Sequence, residues 1–165
     1  MFNGSGDRFD VLCNLILSGG VVADVEGSTA DEIFGFLSES IEMPEGVTRE
    51  SFRMELSERE KILSTAVGHG FAIPHPRKSI LKNESEQKII VCYPKTPIEM
   101  SSPDGSRVSV MFIMLTKVTQ IHQDALSDLA KLVHCVEFRH FLDSKPSVEN
   151  LVLKIKELHA LGKLD

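Results

Sequence analysis

Val108-Ser109-Val110-Met111-Phe112-Ile113-Met114-Leu115 is the stretch on which the fold turns. Its branched and aromatic side chains predict a strand, and so long an apolar run belongs in the middle of a sheet. Upstream, Lys88-Ile89-Ile90-Val91-Cys92-Tyr93 has the same character and predicts a second central strand. Pro94, Pro97, Pro103 and the Asp104-Gly105 pair break the chain between them. Ile98-Glu99-Met100 is expected as a short edge strand leading to a hairpin turn over Pro103 to Ser106.

Helical periodicity flanks these strands on both sides. Val11, Leu12, Leu15 and Ile16 predict a helix over Asp10 to Leu17, stopped at Gly19 and Gly20, with a short extended piece over Val21 to Val25. Ser28 is the expected N-cap of a helix whose buried stripe is Ile33, Phe34, Leu37 and Ile41, ending before Pro44. Thr48 is expected to cap a third helix, running to about Lys61. After the strands, Ala125, Leu126, Leu129, Leu132, Val133 and Val136 mark a helix from about His122, and Phe138 to Leu142 a further short turn. Ser147 is expected to cap a last helix through Val148, Leu151, Val152, Ile155 and Leu158, stopped near Gly162. Lys82 to Gln87 is the expected mobile surface loop. The fold class that follows is α/β, a three-layer sandwich whose mixed β-sheet is flanked by helices on both faces, and not a barrel of alternating units.

The 165 residues predict one domain over 1–165 with its core over about 10–160. Hydrophobic residues at 42% and charged residues at 25% place the chain among ordinary globular proteins, neither disordered nor membrane-spanning. The longest apolar runs, Val11 to Leu17 and Val108 to Leu115, fall short of the roughly 20 residues needed to cross a bilayer. Gly4, Gly6, Asp7 and Asp10 do not form the basic and apolar regions of a signal peptide, so a cytoplasmic location is expected. A net charge of −6 argues against nucleic acid and suits a partner with a basic docking surface. Cys13, Cys92 and Cys135, odd in number and set among apolar neighbours, are expected as buried free thiols.

One segment has the composition of a chemical site: Gly68-His69-Gly70-Phe71-Ala72-Ile73-Pro74-His75-Pro76-Arg77. Two prolines flank His75, which keeps the imidazole out of any helix interior and on a stiff backbone. A histidine nucleophile gains rate from being aimed. His122, placed just after the central strand, is expected at the sheet end where α/β folds gather their ligands. Arg59 closes the helix before the glycine turn and could reach an anion at His75, and Ser64 and Thr65 offer hydroxyls nearby. His69 with His75, and His134 with Cys135 and His140, match no zinc spacing, so no metal and no cofactor are expected. His134, His140 and His159 are expected on helix surfaces.

The run from Arg59-Glu60-Lys61-Ile62-Leu63-Ser64-Thr65-Ala66-Val67 through Gly68 to His75 resembles the active-site signature of the fructose/mannitol-type enzyme IIA domains of the bacterial phosphoenolpyruvate-dependent phosphotransferase system. The similarity continues through Pro97-Ile98-Glu99-Met100, Asp104-Gly105 ahead of the central strand, and His122 followed by Leu126, Leu129, Ala130 and Leu132, covering about residues 10 to 160. The resemblance implies a single type-2 EIIA domain in which His75 accepts a phosphoryl group from the phosphohistidine of HPr. It also implies that His122 is the neighbouring active-site histidine and that Arg59 is a nearby charge-stabilising residue. Ser64, Thr65, Gly68, His69, Gly70 and Phe71 are then candidates for holding the phosphate, through turn amides and hydroxyls.

His69 stands where the family commonly has asparagine, and Pro76 where glycine is common. Neither change removes a reacting group. The implied partners are an HPr-type phosphocarrier and either an enzyme IIB or a regulatory target, with a homodimer left open. A docking face is expected from apolar residues around Phe71 and from the segment Thr116 to His122. No IIB or membrane portion is expected, and the residues around Ser64-Thr65, Ala72 to His75 and His122 lie nearer the nitrogen-regulatory, PtsN-like branch than the sugar-transport branch. A non-catalytic interaction module with the same fold is the alternative from another class, and a metal-dependent hydrolase a more distant one.

Overall fold

A computed structural model describes residues 8–165. Gly4, Gly6 and Asp7, which enter the leader argument above, lie outside the described residues. The strands, numbered in chain order, are β1 (Val21–Val25), β2 (Ala66–Gly68), β3 (Phe71–Ala72), β4 (Lys88–Pro94) and β5 (Val110–Leu115). They form one sheet in the order β1-β4-β5-β3-β2. β1 runs parallel to β4 and β3 parallel to β5, whereas β4 with β5 and β2 with β3 are antiparallel, so the sheet is mixed.

β5 is the central strand, and all six of its residues are buried. Alternation along it divides the interior in two. Val110, Phe112 and Met114 join one core, while Met111, Ile113 and Leu115 join the other. On the first face lie α1 (Asp10–Gly19), α4 (Thr119–His134), α5 (Val136–Leu142) and α6 (Val148–Ala160), burying Leu12 and Ile16, Leu129 and Leu132, Phe138, and Leu151 and Ile155. On the second lie α2 (Ala30–Ser40) and α3 (Arg49–Ile62), with Ile33, Phe34 and Leu37 against Phe52 and Leu56. The three-layer sandwich expected from the sequence is the observed architecture.

Several local expectations need correction. The N-cap of α2 is Thr29, whose hydroxyl accepts from the Glu32 amide, while the Ser28 amide donates back to the Glu32 carboxylate. Thr48 does cap α3, in a reciprocal capping box with Ser51. α4 begins at Thr119, so His122 lies within its first turns and does not open it. Ile98 makes only an isolated antiparallel bridge with Val108, and Val108 precedes β5. The segment expected to be a mobile loop is pinned. It holds a 3₁₀ turn at Glu84–Glu86, Asn83 donates to Glu45, and the Gln87 carbonyl oxygen accepts from the Lys117 and Val118 amides at 2.9 and 3.0 Å. Cys13 and Cys92 are buried as expected, while Cys135, between α4 and α5, is only half-buried.

Candidate functional site

The chain past β3 stays locked to the sheet. The Ile73 amide donates to the Thr65 carbonyl, and the Pro74 carbonyl accepts from the Met114 amide at 2.8 Å. His75 therefore emerges at the carboxyl ends of the parallel pair β3 and β5, between two proline rings. Its Nδ1 lies 2.8 Å from the Ile73 carbonyl oxygen. A carbonyl can only accept, so the neutral ring carries its hydrogen on Nδ1 and leaves a lone pair on Nε2.

His122 meets it from the other side. The ring centroids are 5.1 Å apart at an interplanar angle of 68°. Thr116, directly after β5 and buried, places its hydroxyl 2.8 Å from His122 Nδ1. A cavity of about 240 Å³ opens over both rings, with Met114 and Thr116 beneath and Arg77, Ser79, Lys117 and Thr119 around it. The α4 N-cap, Val118, supplies no side-chain acceptor, so the first-turn amides at the cavity rim add positive potential for an anion. Burial pushes the His75 pKa down from its ordinary value; the Ile73 carbonyl and Glu60 oppose this and the Arg59 charge adds to it. Burial, then the proximity of His75, does the same to His122. Both rings are thus neutral at pH 7, as a nucleophile and a hydrogen-bond donor require.

The remaining sequence candidates are placed as follows. Arg59 donates from Nη1 to the Leu63 carbonyl at 2.7 Å, closing the end of α3, and does not line the cavity. Ser64 donates to the Met100 carbonyl, and Thr65 engages both oxygens of Glu60, at 3.0 Å from its amide and 2.6 Å from its hydroxyl. Gly68 ends β2, and His69 and Gly70 form the turn into β3, at the opposite end of β3 from His75. Four residue steps of extended chain lead from Gly70 to Pro74, about 13 Å. The turn amides are already used, His69 donating to Asp104 Oδ2 at 2.8 Å and Gly70 to Ser106 Oγ at 3.1 Å. Phe71 is 4% exposed and stacked on Phe112, so its own ring is core and offers no docking surface. Sequence reasoning put Arg77 in the chemical segment and Thr116 and Lys117 in the docking segment, but missed that all three line the His75 cavity. A lone threonine directly after the central strand, and a base directly after the His75-Pro76 pair, were the available signals. Among the described residues no cluster of three or more His, Cys, Asp or Glu could hold a metal ion, and no helix is long and apolar enough to cross a membrane.

Comparisons with known proteins bear on this arrangement. The profile of the family described as "Phosphoenolpyruvate-dependent sugar phosphotransferase system, EIIA 2" matches residues 15–157. A nitrogen regulatory protein of Pseudomonas aeruginosa is 31% identical over 112 residues, which is 67% of this chain and 70% of that protein. A nitrogen regulatory protein of Bradyrhizobium diazoefficiens is 35% identical over 82 residues, covering 47% of this chain and 50% of its own length. The crystal structure of nitrogen regulatory protein IIA-Ntr from Neisseria meningitidis superposes with a TM-score of 0.69 at 24% identity, over 88% of this chain and 99% of that one, a likeness of fold.

Proposed function

Since the chain belongs to the EIIA 2 family of the phosphoenolpyruvate-dependent sugar phosphotransferase system, we propose that His75 Nε2 is its phosphoryl acceptor and that the donor is the phosphohistidine of an HPr-type carrier. The observation that carries this reading is the pairing of His75 Nδ1 with the Ile73 carbonyl beside the His122 ring, which leaves Nε2 as the lone-pair nitrogen next to a second imidazole. In the transfer, the phosphorus–nitrogen bond of the donor breaks and its electron pair returns to the departing ring as the bond to His75 Nε2 forms. His122, donating from Nε2, stabilises the equatorial oxygens, and the α4 amides with Arg77 and Lys117 offset the added charge. Arg59 acts at longer range, by biasing the His75 pKa. No cofactor is required.

The regulatory reading is favoured over sugar transport because the curated relatives carry the name nitrogen regulatory protein. In it, a phosphoryl group adding roughly two negative charges switches a complex with a target protein. The whole described chain acts as one unit, since both cores share one sheet. Incubation with phosphoenolpyruvate, enzyme I and HPr should add one phosphoryl group per chain to the wild type and none to His75→Ala. His122→Ala should be phosphorylated at least about tenfold more slowly. Equal labelling of His75→Ala would defeat the assignment, and rapid onward transfer to a sugar-specific enzyme IIB would replace regulation by transport.

A further inference from the structure

The sheet has a second end, where β3 and β5 begin, and a second cavity of about 250 Å³ opens there against α5 and the loop that follows it. Four basic side chains converge on its lining from three separate parts of the chain: His69 from the β2–β3 turn, Arg139 and His140 from α5, and Lys145 from the following loop. Ser109 adds a hydroxyl, and Asp143 is the one carboxylate residue on the lining.

The backbone at two of these positions and the side chain of a third are held in place. His69 and Lys145 both occupy the left-handed region, at φ 54° and 49°, which side-chain-bearing residues seldom adopt. Hydrogen bonds fix both conformations, from the His69 amide to Asp104 and from the Lys145 amide to the Leu142 carbonyl. Arg139 donates from Nη1 to the Val133 carbonyl at 2.7 Å, which ties the guanidinium to the end of α4. Among the described residues none of the four basic groups is in an ion pair. In a chain of net charge −6, a concave site where Arg139 and Lys145 outnumber the one carboxylate, Asp143, with two imidazoles as further hydrogen-bonding groups, is a local inversion of the field.

We propose that this cavity binds a small polyanion of metabolite size, a phosphate ester or a polycarboxylate, at a site separate from His75. Its volume equals that of about eight liquid waters, enough for a small molecule bearing two or three anionic groups.

Titration of the ¹⁵N-labelled full chain with inorganic phosphate and, separately, with citrate tests this, with sodium chloride at matched ionic strength as the control. Saturable shifts are expected at the amides of His69, Gly70 and Ser109 and over residues 139–145, absent with chloride. The double variant His140→Gln/Lys145→Asn should weaken binding roughly tenfold, because the Lys145 charge and the His140 ring are both lost while asparagine tolerates the left-handed position. Saturation by phosphate alone identifies a phosphate ester, by citrate alone a polycarboxylate, and by both a site that reads charge common to the two. Non-saturating shifts, shifts matched by chloride, shifts confined to the His75 cavity, or affinity unchanged in the double variant would each overturn the proposal.

Discussion

His75 and His122 each give one ring nitrogen to a neighbour, and the chemistry is left to the other. The Ile73 carbonyl fixes the His75 tautomer outright, whereas Thr116 can donate or accept. For His122 to donate from Nε2 toward a phosphoryl group, the Thr116 hydroxyl must donate to Nδ1, which makes Thr116 a positioning residue. Thr116→Val should therefore slow phosphoryl acceptance by roughly tenfold with the fold retained, and Thr116→Ser should restore it. The pH dependence follows from the depressed pKa values of both rings. Because both pKa values lie below the ordinary histidine value of about 6.5, the decline in acceptance rate on acidification is centred below that pH. Initial rates between about pH 5 and 8 check this; a decline already centred above 6.5 would contradict it. His75 was legible because its two prolines are its immediate neighbours in sequence. Thr116 was not, because its contact with His122 depends on where β5 ends relative to the first turns of α4.

Elements were legible in proportion to their length. The helices and the two long strands carry enough residues for a 3.6- or 2-residue period to stand out, and their types are as expected. β2 and β3, of three and two residues, carry no period at all. What makes them a hairpin is Asp104 and Ser106, 35 and 36 residues away from the amides they bind, a tie no local pattern announces. Gln87 is a similar case, since a polar stretch that looks mobile is held by the loop leading into α4. Gly19 shows tertiary context overriding propensity within a helix. Alanine is the better helix former by about 1 kcal/mol, yet a Cβ at Gly19 would sit 1.9 Å from the Ile89 carbonyl oxygen, where α1 abuts the backbone of β4. Gly19→Ala should destabilise the protein by about 3 kcal/mol, through forced separation of helix and strand. Urea denaturation decides, and a stabilising substitution would show that the close approach is wrong.

At the scale of the whole molecule, the division of side chains along β5 joins two cores through one sheet, and the parallel arrangement of β3 and β5 decides where function sits. Both strands end at the same edge, so the prolines beyond β3 and the start of α4 beyond β5 bring His75 and His122 together from positions 47 residues apart. The acidic surface and the basic cavity at the other end belong to this scale too, and the latter was invisible in a net charge of −6. Function at the sheet end comes down to which atom of which ring takes the phosphorus. Long-range ¹H–¹⁵N correlation of the ring-labelled chain after reaction with phosphoenolpyruvate, enzyme I and HPr reads this in one spectrum. Phosphorylation at Nε2 of His75 alone, with Nδ1 still protonated toward Ile73, is the predicted result; phosphorus on Nδ1, or on any other histidine, would contradict it.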